Sequence, residues 1–144
     1  MSKFITALPF IIFFAGLAQL LLALGSIAIP FVLDWKREMR KVNALTRNIF
    51  YTYSVYIFGT NVWLGITSMA MPALLCDRSP LSVAVTLFTA LYWWGRVMIQ
   101  FRFGKAEGRP AGTVFVLAEL LLWLLFLLLS LVYTLAALYN LNVL

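Results

Sequence analysis

The chain has no histidine and one cysteine, Cys76, among its 144 residues. Histidine is the commonest metal ligand and the side chain that titrates near neutral pH. Its absence excludes a histidine-ligated haem and any Ser–His or Cys–His nucleophilic couple within one chain. A lone cysteine permits no internal disulfide and no thiolate metal cluster. Acid is scarce too. Five carboxylates oppose eleven Lys and Arg, for a formal charge of +6. Glu119 is the acid placed well inside an apolar run, and no Gly-rich phosphate loop is present. The supply of nucleophiles, bases and metal ligands that catalysis needs is thin. Charge of either sign is low, at 11%, against 64% apolar residues. Soluble domains run nearer 25% and 45–50% respectively.

What is present in quantity is long apolar sequence. A bilayer core about 30 Å thick requires about 20 apolar residues as a helix. Four stretches reach that length, over 5–33, 49–75, 81–101 and 113–139. Pro9, Pro30, Pro72, Pro80 and Pro110 are expected near ends or in loops, where a missing N–H costs least. The first run resembles the start of a signal peptide, but a signal core is only about 7–15 residues. From Ala7 to Leu33 the run is about twice that, so a retained helix is expected. The short CDRSP connection implies a tight hairpin between the second and third spans. The fold class expected is an all-α integral membrane protein of one domain, residues 1–144, with four transmembrane helices in an up-down bundle.

Basic residues set the expected orientation. The first loop holds Lys36, Arg37, Arg40, Lys41 and Arg47, and the third holds Arg102, Lys105 and Arg109. The opposite side has Lys3 and Arg78. Loops one and three are therefore expected in the cytoplasm against lipid headgroups, with both termini on the other side. The basic groups flank apolar spans and build no groove-reading motif, which argues against nucleic acid as a partner. Within the first loop Trp35, Met39, Val42, Leu45 and Ile49 recur at three- and four-residue spacing. That pattern predicts a short basic amphipathic helix in the headgroup boundary, with Asp34 as its N-cap. The alternative is a simple extension of the second span out of the membrane.

Polar residues inside the spans are the candidates for function, because a charge in hydrocarbon costs at least about 2.5 kcal/mol. Arg96 lies near the end of the third span and Glu119 near the start of the fourth. With the intervening hairpin centred near Glu107, both fall about 9–10 Å deep on adjacent antiparallel helices. An Arg96–Glu119 ion pair is expected, with Gln100 one turn from Arg96 completing the network. A clamp fixing helix register is the first reading. A substrate or proton site, and an Arg96 that snorkels to headgroups, are the alternatives. On the second span Tyr53, Tyr56, Thr60, Trp63 and Thr67 share a helical face. Gln19, Tyr56, Thr60 and Asn61 are candidates for interhelical hydrogen bonds or a ligand pocket. Trp63 and Trp123 lie too deep for an interface belt and are expected against another helix or a partner. Cys76 is expected to be inert.

The stretch LYWWGRVMIQFRFGKAEGRPAG, residues 91–112, resembles the third helix and following loop of the membrane-associated eicosanoid and glutathione metabolism family. Arg96, Phe103 and Arg109 occupy the matching positions, although Phe103 stands where that pattern has a tyrosine. The family's arginine–asparagine–glutamate signature around the second helix is not recognisable here. The resemblance implies a trimeric, glutathione-dependent membrane enzyme. The residues themselves point instead to a small non-catalytic membrane protein without cofactor or metal. Its expected role is an accessory or structural subunit packed on other membrane chains, on its own copies, or on lipid.

Overall fold

A computed structural model describes residues 2–103 and 112–143, with side chains from 6 to 102 and from 112 to 143. Lys105 and Arg109, and the Phe103 side chain, lie outside that description. The described residues are helical, with no strand. Four long helices dominate: α1 (Ser2–Ser26), α4 (Ala44–Ala70), α5 (Pro80–Phe103) and α6 (Thr113–Asn140). Two short ones, α2 (Ile29–Val32) and α3 (Trp35–Glu38), join α1 to α4. Three segments are long and apolar enough to cross a membrane: Thr6–Val32, Pro80–Arg102 and Thr113–Asn140. At 27 residues α4 has the length. Its tyrosines, threonines, serines and Asn61 hold its hydropathy below theirs.

Helix boundaries follow local chemistry. The α4 helix starts at Ala44 because Asn43 caps it, its side-chain oxygen accepting from Thr46 N–H at 2.8 Å. It ends at Met71, the residue before Pro72, where proline disfavours helical backbone. The whole element therefore sits about five residues earlier than the 49–75 expected. Pro9, expected near an end, lies inside α1 in its first third. One lost backbone bond near the start of a long helix is tolerable where neighbouring helices shield it.

The first loop also departs from expectation. Asp34 adopts a left-handed backbone, φ 45°, and makes no side-chain cap. Helix α3 stops after four residues, a 3-10 turn covers Met39–Lys41, and Val42 is extended. Leu45 and Ile49 belong to α4, so the expected amphipathic stripe is split between two elements. Trp35 anchors the loop by packing edge-on to Phe50 at 4.7 Å.

The long helices pack in the spatial order α4–α1–α6–α5. Helices α4 and α5 are consecutive in the chain but scarcely touch, so the arrangement is an open arc. The α1–α4 crossing is close. A Cβ on Gly16 would stand 2.7 Å from the Ser68 Cβ and 2.8 Å from the Gly65 carbonyl oxygen. Small residues that let backbones approach are the usual basis of helix association in lipid. The α5–α6 pair is set by rings, with Trp93 stacked on Phe126 at 5.6 Å and Phe101 edge-on to Trp123 at 4.4 Å. The core gathers Leu8, Ile12, Trp93, Phe126, Leu129 and Tyr133 between α1, α5 and α6.

The glycine contacts rank three substitutions. Gly16→Ala meets backbone and should lower stability by about 1–3 kcal/mol, as overpacking does. Gly65→Ala meets the Leu20 side chain at 2.7 Å and the Gly16 carbonyl oxygen only at 3.2 Å, and should cost less. Gly59 has nothing within 4 Å, so Gly59→Ala should be neutral or gain up to about 1 kcal/mol from helix propensity. Thermal unfolding in one detergent checks the order, and equal effects at 16 and 59 would refute the close crossing.

Candidate functional site

Polar atoms inside the arc form three nodes. The central one joins three helices. Ser68 Oγ on α4 lies 2.6 Å from the Tyr133 hydroxyl on α6, which in turn lies 3.3 Å from Gln19 Oε1 on α1. All three residues are buried. The sequence marked Gln19 but not Tyr133 or Ser68. Gln19 Nε2 remains without a protein partner, as does the buried Trp93 Nε1.

The second node closes one end. Asn140 Nδ2 donates to the Leu75 carbonyl at 2.8 Å and to Thr86 Oγ1 at 3.3 Å, while its Oδ1 accepts from Arg78 N–H at 3.2 Å. One amide thus ties α6 to α5 and to the 3-10 turn at Leu74–Cys76. Arg78 has a left-handed backbone, φ 62°, and its guanidinium lies 4.4 Å above the Tyr139 ring. That contact and the Asn140 bond hold a conformation costing an L-residue roughly 1–2 kcal/mol. No periodic signal marks Asn140, since a polar residue in a last turn reads as a helix end.

The third node bridges the open side of the arc. Asn61 Nδ2 donates to the Tyr92 hydroxyl at 2.9 Å and to its own helix at Ile57. Asn61 Oδ1 is buried without a partner. Of the other expected contacts on α4, Thr60 is half-buried and Tyr56 is 70% exposed. Both line a cleft of about 480 Å³ with Val55, Gly59, Trp63, Leu64 and Phe88.

The contacts between α5 and α6 do not set Arg96 level with Glu119. The pairs 86/140, 94/134 and 101/123 have midpoints at 112–114, not near 107. That register places Arg96 level with about residue 130 and offsets it from Glu119 by about 16 Å. Its guanidinium lies over the Phe126 ring, 5.2 Å from the centroid. Glu119 is half-buried on α6, two turns from Phe126, and Gln100 is buried. Trp94 and Thr134 supply a hydrogen bond between these helices, at 3.1 Å. The expected register failed because it assumed a symmetric hairpin, whereas the Asn140 node and the ring contacts draw α6 along α5.

In the basic cluster Lys36, Arg37, Arg40, Lys41 and Arg102 are exposed, and Arg47 is half-buried. Lys41 bonds both Glu38 oxygens, at 2.6 and 2.7 Å, which lowers the Glu38 pKa. Cys76 sits half-buried in the turn between α4 and α5. Burial, then the neighbouring Asp77 charge, push its thiol up to about 11. Asp77 itself is held below the usual range by its hydrogen bonds to Ser79.

No family model matches the chain, and neither the curated proteins nor the solved structures give a match. The resemblance at residues 91–112 gains no support from them.

Two outcomes follow from this geometry. Tyr133→Phe removes the hydroxyl at the centre of the first node and should destabilise by about 1 kcal/mol. Gln19→Leu should cost less, because Gln19 already carries an unpaired amide nitrogen. Thermal unfolding of both variants checks the order. Cys76 should resist maleimide at pH 7, where a thiol near 11 is about one part in 10⁴ thiolate. The rate should rise about tenfold per unit from pH 7 to 10. A plateau by pH 9 would show an ordinary exposed thiol.

Proposed function

We propose that the protein is a small non-catalytic integral membrane protein that serves as an accessory or structural subunit of a larger membrane assembly. In this reading all four long helices span the bilayer in up-down order within one domain. The basic first and third loops lie on the cytoplasmic side, in the headgroup layer.

The outer face of α4 carries the proposal. Tyr53 is 64% exposed, Tyr56 70% and Trp63 69%, and they share one face with Thr60. Lipid rewards uniform apolar surface, as the leucine-rich α6 offers. Hydroxyls and an indole N–H gain little from acyl chains but pair well across a protein interface. A long helix too polar for the three-span set, with its polar stripe turned outward, fits a neighbouring membrane chain. A second copy of this chain is the other protein that would satisfy the same face, and intact mass separates the two. No observation in the site favours glutathione chemistry, since Arg96 is engaged with Phe126 rather than held in a polar pocket.

Photocrosslinkers introduced at Tyr56 or Trp63 in native membranes test the reading. Discrete protein adducts are expected from both positions. None is expected from Leu121 or Leu128, exposed residues of α6. Intact mass in mild detergent should show the chain travelling with unrelated chains at fixed ratio. A bare monomer, together with crosslinks only to lipid, would overturn the proposal.

A further inference from the structure

The seam between α4 and α5 shares Tyr56, Thr60 and Trp63 with the partner face, but its α5 side has properties that the partner reading does not use. On α5, Phe88, Tyr92 and Arg96 recur every fourth residue and form one stripe along the seam. Opposite, Gly59 leaves open space, with nothing within 4 Å of a Cβ built there. Phe88 and Gly59 line the same apolar cleft with Val55 and Trp63. The cleft therefore adjoins the stripe at Phe88.

Arg96 stands at one end of that stripe, about 10 Å along the helix from the end of α5 at Phe103. It is half-buried within an apolar span, and among the described residues no carboxylate lies within 4.0 Å of it. A ring face at 5.2 Å shields one side of the guanidinium but supplies no acceptor for its five N–H donors. One turn deeper, Asn61 Oδ1 is buried and unpartnered beside the Tyr92 hydroxyl. Among the described residues this guanidinium is left without a carboxylate, on the same stripe as Phe88 of the apolar cleft, which is the charge pattern of an amphiphile in reverse. Phosphate, like carboxylate, is an anion whose geometry a guanidinium matches with two parallel hydrogen bonds, and it is the one that membrane lipids carry in bulk.

We propose that the α4–α5 seam holds one anionic phospholipid, with its phosphate on Arg96 and an acyl chain along Phe88, Gly59 and Val55. The distance from Arg96 to Phe88 is two turns of helix, about 12 Å, which an acyl chain spans easily. The lipid enters laterally from the leaflet on the side of the basic loops. Asn61 and Tyr92 close the seam behind it. This inference rests on the membrane placement above but not on the protein partner, because the isolated chain suffices for it.

The test uses the purified full-length chain in a nonionic detergent, with phosphatidylglycerol added, or diacylglycerol bearing the same acyl chains. Native mass spectrometry should show one phosphatidylglycerol retained per chain, and the melting temperature should rise with it. Diacylglycerol should do neither. Arg96→Gln should weaken retention at least tenfold, Arg96→Lys less, and the exposed control Arg102→Gln no more than about twofold. Gly59→Leu fills the cleft without touching the charge and should also weaken retention, which keeps the test sound if Arg96→Gln folds poorly. Equal retention by wild type and Arg96→Gln would overturn the proposal. So would equal stabilisation by diacylglycerol, or by inorganic phosphate alone. Failure to find a protein partner would leave the lipid result untouched, and the converse also holds.

Discussion

The Tyr133 hydroxyl holds three helices at one point. In hydrocarbon a polar atom finds no water, so each one must bond to protein or remain costly. Ser68 and Gln19 have few other partners at that depth, and both reach the same oxygen. That sets the rotation of α6 relative to α1 and α4. The Gly16–Gly65 crossing depends on it in turn, because Ser68 lies against Gly16. A single hydroxyl and a pair of missing side chains thus fix the α4–α1–α6 half of the arc. The α5 helix is held separately, by rings along α6 and by the Asn140 amide at the end.

The four long helices were legible because their apolar runs are far longer than any loop demands. Their boundaries were less so. Asn43 as a cap moved α4 by five residues, and nothing in the apolar pattern around Ile49 points to it. Gln19 and Asn61 were legible as polar residues in apolar surroundings, and both make interhelical bonds. Tyr133 and Ser68 were not, since a tyrosine in a leucine run and a serine beside a span end are common without consequence. The Arg96–Glu119 pairing rested on depth alone. Depth from sequence assumes a hairpin turning at its midpoint, and here the long contacts at Asn140 and Trp123 shift that midpoint by about six residues. A shift at the hairpin doubles at the partner, so a small error in the turn becomes three turns of helix at Arg96.

The polar stripe on α4 and the charge on α5 flank the same opening, and they place different demands on what surrounds the chain. Tyr56 and Trp63 are outward and neutral, and suit a protein surface. Arg96 is inward of the seam and charged, and suits an anionic head. The two requirements coexist without competing for residues at the Arg96 end. Cys76, in the turn that joins these helices, takes no part in either: its thiol is masked by burial and by the Asp77 charge.

Because spatial order departs from chain order, the molecule is built as two hairpins rather than one bundle. The first, α1 with α4, closes by backbone proximity at Gly16 and Gly65. The second, α5 with α6, closes by stacked rings. They are joined by the packing of α1 on α6, by the Tyr133 node, which also takes in Ser68 of α4, and by the Asn61–Tyr92 bond. Residues 71–79 are then a tether between finished units, secured at the end by Asn140. A chain interrupted within that tether keeps the Gly16–Gly65 crossing and the stacked rings that close the two hairpins, so each half carries its own packing into reassembly as a separate polypeptide.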